Sequence, residues 1–145
     1  MEFSKIVLIL LLSNCALTLN YTLATELLEA TSDNYDLDFT EEVLAVASEN
    51  AGLYLFMFHQ NKFHFHESKN LGNFILSGTD ITKDGRWVAV SAYKSDPNLQ
   101  GKAIVYEYED QRNTYVEVFS VEDNQTAIYS IAISDDHEFV YVGFG

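Results

Sequence analysis

The sequence has 145 residues, 48% hydrophobic and 21% charged, which is long enough for a real core and too apolar for a disordered chain. Its 22 acidic and 8 basic residues leave a formal net charge of -14, spread along the chain without a basic patch, which argues against nucleic acid as a partner. A single cysteine, Cys15, excludes an intrachain disulfide, while ten Phe, nine Tyr and one Pro favour strands.

Residues 1–16 read as a secretory signal peptide. Lys5 precedes the apolar run I-V-L-I-L-L-L at 6–12, and Ser13, Asn14, Cys15 and Ala16 follow. Seven apolar residues are too few to cross a bilayer, which takes about 20, so no integral span is expected in the mature chain. Two alternatives stand beside this reading. One is a lipoprotein box, L-S-N-C at 12–15, with Asn14 where a small residue is usual. The other is a buried first strand. Loss of residues 1–16 removes one acid, Glu2, and one base, Lys5, so the net charge stays at -14. The sequons Asn20-Tyr21-Thr22 and Asn124-Gln125-Thr126 are candidate N-glycan sites at Asn20 and Asn124. These features point to a secreted or cell-surface protein.

From there the chain reads as strands. Leu17, Leu19, Tyr21 and Leu23 alternate, and residues 24–30 suit a helical turn or two. Tyr35, Leu37 and Phe39 alternate with Asp36, Asp38 and Thr40, giving a strand with one apolar face. Strands over 43–47, 53–58 and 63–66 follow, joined by short polar turns, and complete a four-stranded meander. The pattern restarts at 74–81. The turn Lys83-Asp84-Gly85-Arg86 carries the Asp-Gly hairpin signal, and strands over 87–92, 103–108 and 115–121 come next. Strands over 129–134 and 139–143 open a third unit.

The two later units share a pattern. I-T-K-D-G-R-W-V-A-V at 81–90 is matched by I-S-D-D-H-E-F-V-Y-V at 133–142, a spacing of 52 residues, with a weaker copy, F-T-E-E-V-L-A-V, at 39–46. Repeats of this kind predict an all-β fold: a partial β-propeller of four-stranded antiparallel meander blades, about two and a half of them over 17–145, within a larger propeller. A small two-sheet sandwich is the structural alternative.

The second unit resembles the FG-GAP-type β-propeller repeat of integrin α chains and many secreted or surface proteins. The resemblance runs through I-T-K-D-G-R-W-V-A-V-S-A-Y at 81–93, D-P-N-L-Q-G at 96–101 and A-I-V-Y-E-Y at 103–108, and the opening recurs at 132–143. It covers residues 75–145 well and 35–66 poorly. WD40-like repeats share the rhythm, but neither their W-D nor their G-H pair is present. The family's calcium loop, D-x-D-x-D-G, is missing too, since 95–101 holds one carboxylate, Asp96, too few for a hard cation. What the resemblance implies is an adhesion or protein-interaction surface, or a rigid scaffold.

Few residues suggest chemistry. His64 and His66 lie two apart on one strand with His59 across the turn, a zinc-like grouping, and Glu67 is expected on the other face. The plainer reading is a polar face opposite core residues Phe63 and Phe65. Ser134, Asp136 and His137 assemble a triad only on paper, because no nucleophile elbow accompanies them, and Asp84 and Gly85 read as turn residues. Trp87 is expected to pack between blades, Tyr106, Tyr108 and Tyr141 to fill space between sheets, and Gly101 to take a backbone shape that a Cβ penalises. No catalytic, cofactor-binding or metal residue is assigned, and no cofactor. The expected function is a non-catalytic protein-interaction or scaffold domain with a protein partner. The alternatives are a fragment of a propeller hydrolase, with acids and histidines converging on a channel, and a structural subunit with exposed apolar surface.

Overall fold

Ten strands follow one another in the computed structural model, which describes residues 34–48, 52–95 and 97–145. They are β1 (Asn34–Phe39), β2 (Val43–Ser48), β3 (Gly52–His59), β4 (Lys62–Lys69), β5 (Ile75–Ile81), β6 (Trp87–Lys94), β7 (Gln100–Glu109), β8 (Thr114–Asp123), β9 (Ile128–Ile133) and β10 (Val140–Phe144). Consecutive strands pair antiparallel into three sheets, β1-β2-β3-β4, β5-β6-β7-β8 and β9-β10. The fold is therefore all-β, built of repeated meander sheets. The first sheet packs on the second and the second on the third, and neither a closed ring nor a barrel forms among the described residues. The signal segment 1–16, the strand and helical turns expected over 17–33, and Asn20 lie outside the described residues.

The turn that carries the sequence repeat is built twice from the same bonds. In the second sheet the Thr82 Oγ1 hydroxyl donates to Asp84 Oδ1 at 2.7 Å and accepts the Trp87 N–H at 3.0 Å, while Asp84 also accepts the Arg86 N–H. Ser134, Asp136, Glu138 and Phe139 repeat each of these bonds in the third. The fourth residue of the turn must adopt a left-handed backbone. Gly85 does so at φ 69, and His137 does so at φ 63 in spite of its Cβ.

The strands share their irregularities as well. The pairing slips by one residue at Ser77 in β5 and at Tyr129 in β9, positions 52 apart, and a slip between Asn34 and Asp36 stands in the same place in β1. A second pair of bulges falls at His66 in β4 and Val118 in β8, again 52 apart. Bulges add twist and re-aim side chains. Ser77 uses its bulge to donate a hydrogen bond to the Ile128 carbonyl of the third sheet at 2.8 Å.

Two cores result. Between the first and second sheets, Val43, Ala45, Ala47, Leu53 and Leu55 meet Val88, Val90, Ala92, Ile104, Tyr106 and Tyr115. Fully burying each large member stabilises by about 1.5–3 kcal/mol, and the two alanines keep the sheets close. Between the second and third sheets the core is smaller: Ala89, Val105 and Ile133, with Trp87 and Ile131 against them. Phe63 and Phe65 do not form the expected core pair. Phe65 pairs with Phe56 on the far face of the first sheet and is 58% exposed, edge-on to Phe56 and tilted against Tyr54.

Candidate interaction surface

One device recurs at the joints between sheets. The leading strand of each sheet turns every second N–H away from its own ladder. Asp38 of β1 accepts the Ile81 N–H of β5 at 2.8 Å, and Asp80 of β5 accepts the Ile133 N–H of β9 at 2.7 Å. Asp38 and Asp80 hold the same position in the repeat, one residue before the apolar residue that precedes the Thr or Ser of the turn. Asp36 adds a bond to the Thr79 N–H at 2.9 Å. Burial pushes the Asp80 carboxyl above its usual range, the Ile133 N–H opposes this, and the neighbouring Asp38 carboxyl raises it further. The carboxylates that gather on the leading strands are thus acceptors for the next sheet's backbone. No histidine joins them in these bonds.

A second joint lies at the far end of the first two sheets. Glu67 accepts the Tyr115 N–H at 2.6 Å and the Thr114 hydroxyl at 2.7 Å, and pairs with Lys69. Burial alone would raise the Glu67 carboxyl; Lys69, Tyr115 and Thr114 outweigh it and hold it low. Tyr115 sends its hydroxyl to the Gly85 carbonyl at 2.6 Å, and burial pushes that phenol well up.

The third sheet offers an open surface. Phe139 and Tyr141 occupy the positions that Val43 and Ala45 hold in the first sheet and Trp87 and Ala89 in the second. In those sheets the next sheet covers them. Here Phe139 is 53% and Tyr141 60% exposed, their rings stacked 6.2 Å apart. The third sheet also stops short of β8. Phe119 pairs with Val105 and Val121 with Ala103, so both face the side of the second core, yet Phe119 is 52% exposed and Val121 is exposed as well.

The singled-out residues fall as follows. The bulge at His66 puts it on the same side as Glu67, contrary to expectation: the His66 ring sits 6.1 Å from that of Tyr108, while Glu67 reaches Tyr115. His64 stays by the turn, its Nε2 3.2 Å from the His59 carbonyl. Among the described residues no three His, Cys, Asp or Glu form a metal-binding group. Ser134 and Asp136 bond one another within their turn, while the His137 ring leaves them to stack on Trp87. Tyr106 and Tyr108 fill space between the first two sheets, and burial, with Glu117 and Glu67, pushes the Tyr106 phenol up to about 12. Tyr141 does not share that role. Gly101 serves a different purpose from the one expected: it lies inside β7 without a left-handed φ, and an added Cβ would stand 2.6 Å from the Ile128 N and Cγ1 atoms. What it supplies is room for β9.

Sequence reasoning missed the clasping role of Asp38, Asp80 and Glu67. The signal available for the first two was a carboxylate recurring at one register beside two matching turns. No helix among the described residues is long and apolar enough to cross a membrane. No protein-family model matches this chain, and no curated protein matches it either.

Proposed function

We propose that this chain is a non-catalytic interaction or scaffold domain of β-propeller type, akin to FG-GAP repeats, secreted or displayed at the cell surface, and that it engages a protein partner. The observation that supports the reading is the pair of stacked, exposed aromatics Phe139 and Tyr141 on a fold of repeated meander sheets. Stacked, half-exposed aromatics are what a recognition surface presents. The Asp38 and Asp80 clasps and the locked turns hold that face rigid.

The test replaces Tyr141 with a photo-crosslinking phenylalanine analogue in the secreting host. The reading expects one discrete protein adduct, lost when Phe139→Asp is added, and no such adduct from the analogue at Lys62, an off-face position. Identical adducts from both positions, or none from either, would overturn it. Mass measurement of the mature chain tests the address: residues 1–16 absent, and glycan removed by an amidase at Asn20 and Asn124.

A further inference from the structure

We infer that Asn124 accepts an N-linked glycan only before β9 docks on the second sheet, and that the finished joint withholds the sequon from transfer. The inference rests on the secreted reading and concerns one site within it, its timing relative to folding.

The sequon Asn124-Gln125-Thr126 lies in the link from β8 to β9. Its working groups have opposite environments. Asn124 and Gln125 are exposed, while the Thr126 side-chain oxygen is buried. An N-x-Ser/Thr acceptor is defined by the hydroxyl two residues on, so the transferring enzyme has to reach that oxygen as well as the Asn amide. In the folded chain only Asn124 is within its reach.

The folded joint holds the hydroxyl in. Asp123 Oδ1 accepts the Gln125 N–H at 2.7 Å and the Thr126 N–H at 2.9 Å, and these bonds keep its carboxyl below the usual range. The Thr126 carbonyl lies against Gly101 of β7, 2.8 Å from where a Cβ would stand. Ala127 and Ile128 are wholly buried directly after it, and the Ile128 carbonyl accepts the Ser77 hydroxyl at 2.8 Å. Turning the Thr126 hydroxyl to solvent therefore means releasing the Asp123 turn and lifting the start of β9, a local opening that only a minor population reaches. Before β9 docks, the Gly101 and Ser77 contacts do not exist, and the Asp123 turn alone cannot bury a hydroxyl.

The donor is an oligosaccharide joined through its anomeric carbon to a lipid diphosphate. In the transfer the carbon–oxygen bond to the diphosphate breaks and the anomeric carbon bonds Asn124 Nδ2. The amide gives up one proton to a base, and the lipid diphosphate leaves with the electron pair.

The test uses the full chain with Asn20→Gln, so that Asn124 alone is scored. It is made in a host without the transferase, purified folded, and offered to detergent-solubilised transferase with that donor; modification is followed by mass. Ile128→Asp puts a charge at a wholly buried site and keeps β9 from docking, with the sequon unchanged. It should be modified faster than the chain with native Ile128, on the order of tenfold or more. Gly101→Ala, which crowds β9 without touching the first core, should fall between them. If Ile128→Asp unfolds the whole chain, Gly101→Ala alone decides, and a rate there no higher than that of the unaltered joint overturns the inference. Equal rates in all of these chains overturn it too, and leave the sequon reading standing. Modification of none of them, beside a short acceptor peptide that is modified, rejects the sequon reading itself and the inference with it.

Discussion

The imidazole of His137 lies on the indole of Trp87, ring centres 5.2 Å apart and planes 16° from parallel, with its Nε2 3.4 Å from Asp84 Oδ2. One ring joins the turn of the third sheet to that of the second. Trp87 is the only tryptophan, so its emission reports this joint alone. His137→Asn keeps a residue that tolerates the left-handed backbone and removes the stacked ring. The Trp87 emission maximum should shift to the red at pH 7 as the indole loses that cover, while His64→Asn leaves it in place. An unchanged spectrum in His137→Asn would mean that the stack does not shield the indole.

The same contact bears on Asp84. Burial acts to raise its carboxyl, but the Thr82 hydroxyl, the Arg86 N–H and His137 together hold it below the usual carboxylate range. A depressed carboxyl stabilises the fold above its ordinary range, and that contribution fades as pH falls through the lowered value. Asp84→Ala should therefore lower the unfolding midpoint at pH 7 and narrow the difference from wild type in strong acid, as followed by urea titration at several pH values.

Asp80 carries the opposite sign. Its raised carboxyl favours the protonated form, so its contribution is full at low pH and is lost as pH rises through the raised value. Asp80→Asn keeps an acceptor for the Ile133 N–H and removes the repulsion from Asp38, so it should be neutral or slightly stabilising at pH 7. Asp80→Ala strands that N–H and should cost about 1 kcal/mol, at the low end because the site is partly open to water. Equal effects from the two replacements would sink the clasp. Chemical denaturation distinguishes them.

Gly101→Ala tests the room left for β9. The new methyl meets the backbone N of Ile128, which has no free space to yield, and the cost should be about 1–3 kcal/mol, with the third sheet loosened before the others. Exchange rates of the Ile131 and Ile133 amides are the readout. Tyr115→Phe serves as a contrast: it leaves the Gly85 carbonyl without its donor and should cost about 1–2 kcal/mol in the first core instead.

Strand positions were legible in the sequence because alternation and turn chemistry are local. The run from Trp87 and the Asp84-Gly85 turn appear where the residues put them, as do all ten strands to within a few positions. What eluded the sequence depends on pairing. The bulge at His66 reverses the side expected of Glu67, and no one-dimensional count of alternation contains an extra residue that only the partner strand reveals. Phe65 and Tyr141 were misplaced for a related reason: an apolar residue on a strand marks a face without saying which sheet, if any, lies over it. Asp38 reads locally as the polar half of a strand and Asp80 as one residue within another, since their partners lie on the next sheet, 43 and 53 residues away.

The clasps between the second and third sheets run both ways. Asp80 of β5 reaches forward to the Ile133 N–H, and Asp135 in the turn of the third sheet reaches back to the Lys83 N–H at 2.7 Å. The seam is stitched from both sides, so sliding one sheet along the other cannot trade one bond for the next: it must release a strand clasp and a turn clasp together.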